Sequence, residues 1–75
     1  MSVYTDLVAA NVPVSNWQSD LYCLRTEKSV DIINKHGLEY NCFIREIDGK
    51  AWLEIPFQFD PFWQGKLTNE SLLEL

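Results

Sequence analysis

The chain predicts an α+β fold in one small domain. The expected order is α-β-α-β-β, with a three-stranded sheet packed by helices on one face and a short C-terminal aromatic and helical extension. Three observations predict it. Residues 40–57, "YNCFIREIDGKAWLEIPF", alternate in polarity about an Asp48-Gly49 pair, the signature of a two-residue hairpin turn. Residues 26–37, "TEKSVDIINKHG", carry apolar side chains at helical spacing between a capping threonine and a glycine. And 75 residues suffice for one core only, so residues 1–75 form a single domain, with 66–75 expected to fray.

Taken in order, residues 3–11 read as a short helix capped by Ser2, with Val3, Tyr4, Leu7, Val8 and Ala10 on one side. Asn11 and the Val12-Pro13 step end it, because the residue before proline avoids the α region. "PVSNWQS" reads as a loop whose Trp17 folds back onto the core. Residues 20–26 place apolar side chains at four consecutive positions, Leu21 to Leu24, which predicts a strand covered on both faces or one with a face left for a partner. It lies beside one of the two hairpin strands, parallel to 39–47 or antiparallel to 51–55.

The helix over 26–37 places Ser29, Val30, Ile32, Ile33 and His36 on one arc. In the hairpin, Asp48-Gly49 pairs Ile47 with Lys50, Arg45 with Trp52, Ile44 with Leu53 and Phe43 with Glu54. Tyr40, Cys42, Ile44, Ala51, Leu53, Ile55 and Phe57 then form the expected core face. Phe43, Arg45, Ile47, Lys50, Trp52 and Glu54 form the other. Pro56 has no N–H to give a ladder, so the strand should stop near Ile55. Phe57 and Phe59 are expected to close the core. Asp60-Pro61 suggests a helical turn over "DPFWQ", and Thr68 caps a last short helix. No internal repeat is legible.

Composition narrows the function classes. Eleven acidic against six basic residues give a net charge of −5, which disfavours direct binding to nucleic acid or to an anionic membrane. No apolar run is long enough to span a bilayer, and the first residues lack a basic leader pattern, so the expected location is cytoplasmic. Cys23 and Cys42 read as reduced small hydrophobes, and without a CxxC and with one histidine there is no zinc pattern and no expected cofactor. His36 has no nucleophile or orienting acid that the sequence can name, so the expectation is packing or capping and no enzyme.

What remains is the aromatics. The expected function is a non-enzymatic protein-binding module, an inhibitor or adaptor that occupies a surface of a larger protein. Its candidate partner-binding residues are Phe43, Arg45, Trp52, Glu54, Phe62 and Trp63, because aromatic and arginine side chains dominate interface hot spots. Such small acidic inhibitors suit a viral or plasmid origin. The alternative is an acidic decoy for the basic groove of a nucleic-acid-processing enzyme, formed by Asp31, Glu39, Glu46, Asp48 and Asp60. A self-associating subunit, such as a homodimer joined through an open sheet face or edge, is the third reading.

Overall fold

The computed structural model describes residues 2–59. Their order is α1 (Val3–Ala9), β1 (Val14–Trp17), β2 (Asp20–Leu24), α2 (Glu27–Lys35), β3 (Phe43–Ile47) and β4 (Lys50–Ile55), followed by a single 3-10 turn at Phe57–Phe59. The α+β class holds. The sheet has four strands, in the order β1-β2-β4-β3, with every neighbouring pair antiparallel.

Both helices start and stop by the same chemistry. The Ser2 hydroxyl accepts the Thr5 N–H at 3.0 Å, and the Thr26 hydroxyl accepts the Ser29 N–H at 3.1 Å. Ser29 returns the favour by accepting the Thr26 N–H at 2.7 Å, which completes a capping box with serine in place of the usual glutamate. At the other ends, Asn11 and Gly37 enter the left-handed region at φ 61 and 72. The residue after each, Val12 or Leu38, donates back to Leu7 or Ile33 at 3.0 Å, closing a Schellman motif on each helix.

β1 is the element the sequence reading missed. Residues 14–17 form a strand paired with β2, where a loop was expected. The turn between them is Gln18-Ser19, with φ of 50 and 75, a two-residue turn of the same kind as Asp48-Gly49 with φ of 54 and 79. Neither Gln nor Ser favours that conformation, so the turn carries no sequence signature. Trp17 is 48% exposed and its ring lies 6.4 Å from that of Tyr22, so it does not fold back into the core under the helices. The predicted hairpin register is observed at five pairs, from Phe43↔Glu54 to Ile47↔Lys50, while the sixth expected pair, Cys42 with Ile55, is not part of the ladder because β3 starts at Phe43. β4 stops at Ile55 as Pro56 requires, and Asp20 Oδ1 accepts the Phe57 N–H at 3.1 Å instead.

β2 lies beside β4, antiparallel, which settles its placement. Its position at the centre explains why both its faces are apolar. On the helix side the core consists of Val3, Leu7, Val12, Leu21, Cys23, Ile33, Leu53 and Ile55. On the opposite side Tyr22 and Trp52 form a smaller buried cluster with Leu24 and Ile47 packed against it. Phe57 is half-buried and Phe59 is exposed; neither belongs to these clusters, because the 3-10 turn breaks the strand parity that would have aimed both inward.

The chain is a topological repeat. Cap, helix, Schellman stop and tight hairpin occur once as α1-β1-β2 and again as α2-β3-β4. The strands that follow each turn meet at the centre of the sheet. Leu24 pairs with Trp52, Cys23 with Leu53 and Tyr22 with Glu54, so an approximate dyad passes through the Cys23–Leu53 pair.

Candidate functional site

The antiparallel ladder decides which backbone groups are free. In a two-residue hairpin the closing pair, here Ile47 and Lys50, exchanges both hydrogen bonds, and bonded pairs then alternate along the strands. Arg45 and Phe43 therefore turn their N–H and C=O toward β4, while Ile44 and Glu46 turn theirs outward. The carbonyl of Ala51, the partner of Glu46, accepts from the Arg25 N–H at 2.9 Å, which confirms that the Glu46–Ala51 pair is the unbonded kind. Among the described residues β3 ends the sheet on this side. At the other end, Ser15 and Asn16 of β1 are each engaged in a further interaction, and Ser15 is 1% exposed.

The most exposed large apolar side chains among the described residues lie on β3 or just before it. Tyr40 is 91% exposed, Phe43 57% and Ile44 64%. Phe43 stands on the helix-free face and Ile44 on the helix face. Ile44 has the core-face parity expected of it, but α2 packs over the central strands and leaves β3 bare. Between α2 and β3 this opens a cleft of about 190 Å³, lined by Val30, Ile33, Cys42, Ile44 and Leu53, with Arg25, Asn34 and Glu39 around it. An edge strand is ordinarily guarded by shortness, charged side chains, a proline or a bulge. β3 is five residues long and carries two charges, Arg45 and Glu46, with neither a proline nor a bulge.

Two of the expected partner-binding residues are not surface anchors. Trp52 is 5% and Glu54 7% exposed. Both sit on β4, which gains β2 as a neighbour on its far side: Leu24 stands opposite Trp52, and Tyr22 opposite Glu54. Arg45, paired with Trp52 across the hairpin, reaches Glu54 instead. Its Nε donates to Glu54 Oε1 at 2.7 Å. Phe43 and the outer part of Arg45 remain exposed. Phe62 and Trp63, the expected helical turn around them and the helix after Thr68 lie outside the described residues, as does Asp60.

Asp31, Glu39, Glu46 and Asp48 are exposed, but they occupy four different elements: α2, the loop after it, β3 and the hairpin turn.

The polar centre on the helix-free face is built from Asp20, Tyr22, Arg45 and Glu54. Burial pushes the Asp20 carboxyl up from its ordinary value, helped by its hydrogen bond to Glu54. Burial alone would push Glu54 up as well, but hydrogen bonds from Asp20, Arg45 and Tyr22 outweigh it and hold the carboxyl below the usual range. Tyr22 is pushed up to about 12, by burial first and by the nearby Glu54 charge second.

The remaining reactive groups are occupied or inert. His36 Nε2 lies 2.7 Å from Asp6 Oδ2, a contact that ties α2 to α1 and holds the Asp6 carboxyl below its ordinary value. The sequence could not name that acid, thirty residues away. Cys23 and Cys42 are free thiols, and burial pushes that of Cys23 up to about 12, which removes it as a nucleophile near neutrality. Among the described residues no three potential ligands converge on a metal position, and no helix is long and apolar enough to cross a membrane.

No protein-family model, no curated protein and no solved structure matches this chain.

Proposed function

We propose that this chain is a non-enzymatic protein-binding module that acts by occupying a surface of a larger protein, and that the β3 edge is its contact. The observation that carries this reading is the coincidence, among the described residues, of an unpaired hydrogen-bonding edge with Tyr40, Phe43 and Ile44, all exposed, on one short segment. Extended segments bind such edges by adding a strand: main-chain hydrogen bonds supply affinity, and alternate side chains supply selectivity.

The test is capture from a cell lysate on immobilised protein, wild type against a Phe43→Lys/Ile44→Lys double variant, with washes at low and high salt. Both side chains are more than half exposed, so circular dichroism and melting of the variant should stay close to the wild type. A partner retained by the wild type through high salt and lost by the variant supports the reading. A partner that the variant keeps counts against it, and so does one that leaves with salt alone.

A further inference from the structure

The β3 edge has a chemical asymmetry that specifies more than a generic strand. Its two outward-facing residues, Ile44 and Glu46, project on the same side, the side of α2, because side chains alternate along a strand. Ile44 forms one wall of the apolar cleft, whose other walls are Val30 and Ile33 of α2, Cys42 and Leu53. Glu46 is exposed and meets no cation among the described residues, and Glu39, at the cleft, meets none either. Arg25, which follows β2 and whose backbone N–H donates to the Ala51 carbonyl of β4, lines the same cleft.

We propose that this edge binds an antiparallel strand of a partner protein bearing the pattern basic–x–aliphatic. This rests on the reading above and names the ligand class that the same edge takes. An antiparallel strand meets Glu46 first and Ile44 two residues later. The residue opposite Glu46 is Lys or Arg, whose charge answers Glu46. The residue opposite Ile44 is Leu, Ile or Met, long enough to reach across Ile44 into the mouth of the cleft. The intervening residue lies on the other face, beside Arg45. Antiparallel addition continues the pattern of the whole sheet and makes the more stable ladder.

A second copy of this chain fits the edge less well. A two-fold axis normal to the sheet keeps the faces matched, so it pairs residues of like parity. Glu46 would then meet Cys42, Ile44 or the Glu46 of the other copy, and none of these is a cation.

The experiment is selection of strand-length peptides from a random display library on the immobilised full chain, repeated with Glu46→Lys. Glu46 is exposed beside the turn, so the variant should fold, and its amide spectrum checks this. The proposal expects Lys/Arg–x–aliphatic enrichment on the wild type and a switch to Asp/Glu–x–aliphatic on the variant. A synthetic peptide of the selected pattern should bind about two- to fivefold more weakly when its basic residue is reversed, the range of one cross-strand charge pair. It should also slow hydrogen exchange at the amides of Ile44 and Glu46. Enrichment without the pattern, a pattern unmoved by Glu46→Lys, protection elsewhere on the molecule, or concentration-dependent dimerisation through β3 with no peptide selected would each overturn it. If the lysate partner is lost on Phe43→Lys/Ile44→Lys and yet is indifferent to Glu46→Lys, the pattern falls and the binding function stands.

Discussion

Arg45 donates from Nε to Oε1 of Glu54 over 2.7 Å, so an exposed edge residue holds the charge of a carboxylate that is 7% exposed on a central strand. Glu54 is also the common acceptor of the polar centre, since Tyr22 and Asp20 share it.

Arg45→Met should therefore lower the melting temperature by several degrees at pH 7, since it leaves a buried carboxylate short of its cation. Glu54 is held below its ordinary value of 4.5, so its contribution is present above that pH and is lost as pH falls through the folded value. The gap between variant and wild type should accordingly close on acidification below pH ~4.5. Thermal melts across pH 3 to 7 read this directly.

Asp20→Asn should act in the opposite sense. Asp20 is held above its ordinary 3.8, so ionising it costs more in the folded chain than in the unfolded one. That cost sets in as pH rises past the unfolded value and is complete above the folded one. Asparagine removes it, still accepts the Phe57 N–H, and gives Glu54 a permanent donor. Urea unfolding at pH 4 and pH 8 should show the variant gaining on the wild type at the higher pH.

Trp52→Ala should destabilise the domain by about 3–5 kcal/mol, the usual cost of truncating a buried tryptophan. That approaches the whole stability of a chain this small. Loss of binding on this substitution would report unfolding, and the far-ultraviolet circular dichroism of the variant distinguishes the two.

Gln18→Asn with Ser19→Gly should stabilise by about 1 kcal/mol, because both positions sit at positive φ where the native residues are strained. A shift in the urea midpoint with an unchanged slope is the expected readout.

The same turn shows where the sequence was legible. Asp48-Gly49 announced the second hairpin and its register, whereas Gln18-Ser19 adopts the same backbone without announcing the first. With β1 invisible, the sheet was read one strand short. The alternation along β4 was right for every residue, yet it could not say that Trp52 was buried, because that depends on β2 lying alongside, a contact across more than twenty residues. At the candidate site Phe43 was legible from parity. Ile44 was assigned to the correct face, but its exposure follows from how far α2 reaches, which no local pattern encodes.

The dyad at Cys23–Leu53 has a consequence for how the molecule could be taken apart. Each αββ half carries its own caps and its own hairpin, and the sheet is sewn together along one central seam, β2 against β4. A break between Leu24 and Thr26 would leave two peptides that each lack a neighbour for one strand, the other half of the shared core and the contact between the helices. Mixed, they should reassemble as a split protein. Left alone, each half presents at that seam a strand whose natural mate resembles itself, so its nearest substitute is its own twin.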